Sequence, residues 1–377
     1  MRDACLINAS KAHAGGGITV AIQLIDALEA EWSHLNYRYY VLASPELVVA
    51  LIGREPRLTI VEVPSETSSG LNSVNFYLRS IPGHLRDWGI SVIFNLGDII
   101  PPVSPAAQVY FCDYPFIVRG LHSAGFKGAD YIKQTIKRKL IRIGYRRNAI
   151  TVCQSEAMFE ELASSFPEVP VHILPMPLSP IRGDMPGRTR DPHLFVYVAS
   201  PSDHKNHEIL YEVAVVLQQR RLNYAVAITC SPDDNALTER FYRRLTEAGL
   251  ADYVSWRGKL SLSEVRALYT EAIASVNPSL AETFGLVYYE CMQMHTPQAV
   301  SDLDFAREAC GPAAVYFDPR DAASIVDRMH ALATSAPLRQ RLVEAGDQRI
   351  AGLCDTGAYV VELENLLTKA QAMAIAT

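Results

Sequence analysis

Two glutamates, Glu282 and Glu290, stand eight positions apart around a Phe-Gly-Leu in the stretch PSLAETFGLVYYECM. The residues before them, AIASVNPS, have the apolar run and polar exit of a β-strand. Those after Gly285, LVYYECMQM, are apolar enough for a helix packed on a sheet. Glu282 then belongs to the loop and Glu290 to the helix, with both carboxylates able to face one opening. A carboxylate has two acceptor oxygens, which suits a vicinal diol such as a ribose. Glu290, on the inner face of an apolar helix, needs a partner, because an unpaired buried carboxylate is costly. Gly285 permits close backbone approach, and the amides of Gly285 and Leu286 at the helix start suit a phosphate or a sugar hydroxyl.

Three further post-strand loops carry residues of chemical interest. In NASKAHAGGG, Gly15, Gly16 and Gly17 lead from the first strand into a helix. They remove every Cβ where free backbone amides and the helix dipole favour a phosphate. The spacing is not GxGxxG, and the second strand, YVLASPE, has Ser44 and Pro45 before its acid Glu46, so a dinucleotide fingerprint is absent; a plain mobile turn is the alternative. In VASPSDHKNHEIL, Asn206 is expected to cap a helix and Lys205 to add a point charge beside it, unless it is merely solvated. His204 and His207 read as surface or packing histidines. In VYFCDYPF, Asp113 follows an apolar strand, where it can assist an acceptor hydroxyl or simply serve the turn. The DxD of Asp302 and Asp304 opens a helix and reads as cap and first-turn chemistry rather than a metal site.

These loops need a scaffold that gathers strand ends. Short strand-like runs alternate with helical ones: ACLINAS, YRYYVLAS, LTIVEV, SVIFNLG, AQVYFCD and AITVCQS in the first half. The pattern restarts with LFVYVAS, YAVAITCS, YVSWRG, ASVNPS, PQAVSD and AAVYFDP after the Pro- and Gly-rich SPIRGDMPGRTRDPH. Such alternation implies parallel α/β domains, here a first domain over 1–178, a linker over 179–192 and a second domain over 193–352. The amphipathic helix over 353–377 is expected to cross back onto the first domain. Ligands of such sheets bind beyond the carboxyl ends of the strands.

The 377 residues, 49% hydrophobic and 20% charged, suit a two-domain globular chain. No run of about 18 apolar residues offers a membrane span, and the N-terminus reads as a first strand rather than a signal peptide. Seven cysteines without a CxxC fit buried thiols in a reducing cytoplasm. The net charge of −6 resides in the second half: 17 cations meet 17 anions up to Asp184, but 18 meet 24 beyond it. Between Lys127 and Arg147, eight cations face the single acid Asp130.

Taken together, HKN, VSWRGKLSLSEVRALYTEAIASVNPSLAETFGLVYYECMQM, PQAVSD and AAVYFDPRD resemble the nucleotide-binding domain of family-4 retaining glycosyltransferases, glycosyl transferases group 1. The resemblance covers nearly all of the second half and is most specific in its E-x7-E pattern. It implies the GT-B fold class, α/β, with two Rossmann-like doubly wound domains facing a cleft that holds a nucleotide-sugar donor, and no metal or cofactor. By the same resemblance Glu282 holds donor-sugar hydroxyls, Glu290 the ribose diol, and Phe284, Gly285, Leu286 and Val287 line phosphate and sugar. Lys205 offsets the departing pyrophosphate, Gly16 and Gly17 approach the phosphates, and Arg257 and Gly258 bracket the base. Ser200 stands where the family usually has an arginine, and Cys112 and Asp113 stand where it often has a histidine.

The basic segment Lys127–Arg147, with interleaved Ile, Leu and Tyr, reads either as a solvated face or as a peripheral contact with anionic membrane that reaches a lipid-linked glycan acceptor. Nucleic acid is not an expected partner of this acidic, motif-free chain. The expected activity is therefore hexosyl transfer, without metal and with retention, from GDP-mannose or a UDP-sugar to a glycan hydroxyl. The expected setting is bacterial surface polysaccharide synthesis: O-antigen, capsule or exopolysaccharide. A GT-B nucleotide-sugar epimerase and a non-catalytic nucleotide-sugar-binding scaffold are the alternatives.

Overall fold

A computed structural model describes residues 2–13, 15–68, 70–97, 100–101, 104–121, 126, 128–145, 150–178, 189–351, 353 and 355–375. Most of the expected linker, 179–188, and Lys127, Arg146 and Arg147 of the basic segment lie outside the described residues. The chain forms two compact units. The first comprises Met1–Leu121, Gly128–Ser179 and Leu353–Thr377, and the second His122–Lys127 and Pro180–Gly352.

The first unit is built on seven parallel strands: β1 (Asp3–Ala9), β2 (Tyr37–Ala43), β3 (Thr59–Glu62), β4 (Ile90–Leu96), β5 (Ala107–Phe111), β6 (Ile150–Cys153) and β7 (Val171–Ile173). They lie in the order β3-β2-β1-β4-β5-β6-β7. The second unit has six: β8 (Asp191–Tyr197), β9 (Ala225–Ile228), β10 (Val254–Trp256), β11 (Ala272–Asn277), β12 (Gln298–Ser301) and β13 (Ala314–Phe317), ordered β10-β9-β8-β11-β12-β13. Both are doubly wound sheets whose order reverses beside the first strand, and the crevice at that reversal is where such sheets take ligands.

The central strands are covered on both faces, so they read as unbroken apolar runs rather than alternations. Every residue of β11 is buried, and so is every residue of β5. Helix starts are written locally. Ser261 and Glu264 form a reciprocal capping box before Leu262–Glu271, and Asn235 with Thr238 does the same before Ala236–Glu247.

The last helix, Thr356–Ile375, belongs to the first unit. Its Glu364, 5% exposed, accepts hydrogen bonds from the Asn36 amide at 2.9 Å, the Asn36 side chain at 2.7 Å and the Tyr39 hydroxyl at 3.1 Å. This is a buried carboxylate retained because several donors from one short segment converge on it.

Candidate active site

In the second unit the order reverses between β8 and β11, so the loops after those two strands are neighbours. The first carries Lys205 and the second Glu282. Their side chains meet, with Lys205 Nζ 2.6 Å from Glu282 Oε1. The glutamate is 8% exposed. Burial pushes its carboxyl up, but the Lys205 ammonium, then His204 and a hydrogen bond from Ser279, more than offset that and hold it below the ordinary carboxylate value.

The two loops are stitched together. The Leu280 amide donates to the His204 carbonyl at 2.7 Å, and the buried Tyr197 hydroxyl donates to the Lys205 carbonyl at 2.6 Å. Asn206 does not cap the following helix. That helix starts at Ile209, and Asn206 instead takes a left-handed conformation at φ 59°. Its side-chain amide donates to the carbonyls of Pro278 and Pro319 at 3.1 and 2.9 Å. A short polar side chain tolerates that conformation and satisfies two loop carbonyls. His207 is a packing residue: 1% exposed, with its ring tilted against that of Tyr197 at 4.9 Å, it is pushed down to about 3 by burial and then by Lys205, and is neutral.

Beyond Glu282 the chain turns sharply into the helix Leu286–Gln293 through Gly285, whose φ is 74°. A Cβ at Gly285 would lie 2.4 Å from the Tyr288 ring, so only glycine fits. Phe284 is buried and stacked on Tyr289 at 4.5 Å, while Leu286 and Val287 are half-buried at the helix start. Glu290, half-buried on that helix, accepts a hydrogen bond from the Tyr269 hydroxyl at 3.1 Å. Burial raises its carboxyl above the ordinary value, opposed by the Tyr269 hydrogen bond and by Arg266.

The β10 exit carries Arg257, exposed, and Gly258, at φ 67°. The Arg257 and Gly258 amides bond the carbonyls of Ile228 and Cys230 at 3.0 and 3.2 Å, tying this loop to the end of β9. Ser200 lies in the Lys205 loop and is exposed to solvent. Asp302 is paired with Arg307, and Asp304 is the first residue of the helix Asp304–Cys310. No group of three or more potential metal ligands exists among the described residues.

In the first unit Gly16 and Gly17 stand in the first turn of the helix Gly15–Ala30, just past β1. A Cβ on Gly16 would meet nothing within 4 Å, so internal packing gives no reason for its missing side chain. Asp113 is half-buried two residues past β5. The same unit holds a pair that residue types alone did not single out: His13 Nδ1 lies 3.0 Å from Glu46 Oε2. With Lys11, Pro45 and Ser65 they line a cavity of ≈ 310 Å³.

Residues 185–349 match the family profile of glycosyl transferases group 1. The O-antigen chain mannosyltransferase RfbU of Salmonella typhimurium is 25% identical over 192 residues, 51% of this chain and 53% of that protein. A D-inositol 3-phosphate glycosyltransferase of Frankia alni is 27% identical over 174 residues, 44% of this chain and 43% of its own. The chain thus spans about half the length of the curated relatives it matches. Among solved structures, sucrose-phosphate synthase from Thermosynechococcus elongatus superposes with a TM-score of 0.73 at 15% identity, covering 98% of this chain and 100% of that one. WaaG, a glycosyltransferase involved in lipopolysaccharide biosynthesis, gives 0.69 at 13%, covering 97% and 99%. The profile match covers less than half of the chain, and the structural likeness shows the GT-B fold of two Rossmann-like units.

Proposed function

We propose that the protein is a metal-independent, retaining glycosyltransferase that moves a hexose from a nucleoside-diphosphate sugar to a glycan hydroxyl. Its place is in surface polysaccharide synthesis, with O-antigen the setting favoured by the similarity to RfbU. The observation that carries the reading is the Lys205–Glu282 pair at the strand-order reversal of the second unit. An ammonium has three donors, so Lys205 can hold Glu282 and still meet a phosphate oxygen. As the sugar leaves, charge develops on the pyrophosphate, and a fixed cation there lowers the barrier. Glu282, ionised and clamped, accepts from sugar hydroxyls. Glu290 keeps one oxygen on Tyr269 and has acceptor capacity for the ribose diol.

The amides at Gly285, Leu286 and Val287, with Phe284 behind them, form the wall against which phosphate and sugar lie. Arg257 and Gly258 flank the base, and Gly16 and Gly17 offer amides unobstructed by Cβ atoms to the phosphates. Asp113 serves the acceptor hydroxyl. GDP-mannose and UDP-sugars are the donors of choice. The protein acts at the cytoplasmic face of the membrane, touching anionic lipid through the basic segment Lys127–Arg147 and taking a lipid-linked glycan as acceptor.

The test is turnover of candidate donors with lipid-linked or soluble glycan acceptors, reading free nucleoside diphosphate and the anomeric configuration of the product. Retained configuration in the presence of EDTA supports the reading. Release of an isomerised nucleotide-sugar without acceptor, or inversion, overturns it.

Glu290 provides a second test, in which stability and binding move in opposite directions. Because burial raises its carboxyl, the native state holds the extra proton between the ordinary and the raised value. The ligand-free protein therefore loses stability as pH rises through that window. Glu290→Gln should remove this loss and raise neutral-pH stability by about 1 kcal/mol, while weakening nucleotide binding. Melting temperature against pH, with and without nucleoside diphosphate, checks both halves.

A further inference from the structure

The helix Gly128–Tyr145 is turned the wrong way round for water. Of the eleven large hydrophobics exposed among the described residues, four lie on it: Ile132 at 62%, Ile136 at 56%, Leu140 at 64% and Ile143 at 58%. At about 100° per residue these four fall within about 80° of one another, one unbroken stripe roughly 16 Å long. Exposed apolar residues scattered singly need no explanation, but an aligned row does. The opposite face is spoken for: Ile141 and Tyr145 are buried, and the Tyr145 ring lies 4.5 Å from that of Phe166.

The cations divide by role. Arg138 and Arg142 donate to the carbonyls of Ile117 and Val118, at 2.9 to 3.3 Å, and Lys137 sits 4.3 Å over the Tyr114 ring. These three pin the helix to the unit. Lys133 and Lys139 are exposed, and the same angular count puts one on each flank of the stripe. The helix has one acid, Asp130, in its first turn.

We propose that this stripe is a membrane-insertion edge: Ile132, Ile136, Leu140 and Ile143 enter the acyl boundary of an anionic bilayer, and Lys133 and Lys139 meet lipid phosphates on either side. It deepens the proposed peripheral contact, on which it rests, by naming the face that enters. Charge complementarity chooses the occupant. A convex single row of branched aliphatics between two lysines matches a surface that is apolar below and anionic at the rim, and a bilayer supplies both along the whole length. The lysine stems are long enough to run along the apolar boundary while their ammonium groups stay at the headgroups. No helix is long and apolar enough to cross the membrane, among the described residues, so the contact is one of partial immersion.

The test uses the full chain without donor or acceptor, so that it is independent of the transferase reading. Sedimentation with vesicles of phosphatidylcholine and phosphatidylglycerol in equal parts, against phosphatidylcholine alone, should show binding to the anionic set. The double variant Ile136→Ser, Leu140→Ser should lower that partition roughly 10-fold or more, with the melting temperature unchanged because both side chains are exposed. Lys133→Gln with Lys139→Gln should lower it by a smaller factor that shrinks as salt rises. Ile136→Trp should blue-shift its fluorescence on anionic vesicles. Equal vesicle binding by wild type and the serine variant, or a wild-type dimer that the serine variant dissolves, overturns the proposal. If nucleoside diphosphates stabilise the protein but vesicles do not bind it, only the membrane edge fails; the reverse result removes the transferase reading alone.

Discussion

Lys205→Ala should lower turnover roughly 10²–10³-fold, the cost of removing one preorganised stabiliser of developing charge. It should also destabilise the ligand-free protein by about 2–3 kcal/mol, because Glu282 is left in a nearly dry site without its main counter-charge. The pH dependence separates the two effects. In the wild type the Glu282 carboxyl lies below its ordinary value, so the pair's stability is present above that value and lost as pH falls through the lowered one. Without Lys205 the burial that raises the carboxyl is offset far less, and the acid limb of the stability curve should move up in pH. Adding Glu282→Gln to Lys205→Ala should recover most of the stability, since the uncompensated charge is gone, and none of the activity. Melting curves over a pH series with steady-state rates measure all three. A double variant that recovers turnover would remove Lys205 from the chemistry.

Gly285→Ala should cost roughly 3 kcal/mol and abolish donor binding. The left-handed backbone at φ 74° is unfavourable for any Cβ-bearing residue, by roughly 1–2 kcal/mol. The added atom would also fall 2.4 Å from the Tyr288 ring, and overpacking of this kind costs roughly 1–3 kcal/mol. Tyr288 is fully buried, so its ring has no free space to retreat into. Any relief must come from shifting the helix start, which moves the amides of Leu286 and Val287 away from the proposed phosphate position. Chemical denaturation measures the stability loss, and calorimetric titration with nucleoside diphosphate measures the binding loss. Gly16→Ala is a useful contrast: its Cβ would meet open space, so it should leave stability nearly unchanged.

Much of this was legible in the residues. Parallel strands buried on both faces appear as contiguous apolar runs, which is why AQVYF and AIASVN marked β5 and β11 without ambiguity. The helix start at Gly285 and the need of Glu290 for a partner followed from residue type and position. The partner itself did not, because Tyr269 belongs to the preceding helix and reaches Glu290 only once the two helices, separated in the chain by β11, pack against each other. Asn206 was misread for a related reason. Its type favours helix capping, but two carbonyls from distant loops compete for its amide and win. The Lys205–Glu282 contact joins positions 77 residues apart and depends on β8 lying beside β11. On the helix Gly128–Tyr145, composition showed cations interleaved with aliphatics, but which face looks outward is decided by packing against Tyr110 and Phe166.

The central claim is that Lys205, Glu282 and Glu290 form one nucleoside-diphosphate site. It is tested most directly by thermal stability with UDP, GDP, ADP and dTDP, each with and without EDTA, on the wild type, Lys205→Ala and Glu290→Ala. A nucleotide at a hundred times its dissociation constant adds about 2.7 kcal/mol. The expected result is that one nucleotide stabilises the wild type to the same extent with and without EDTA, and that each variant loses most of the shift. Stabilisation that requires a divalent metal, or that persists undiminished in both variants, would contradict the claim.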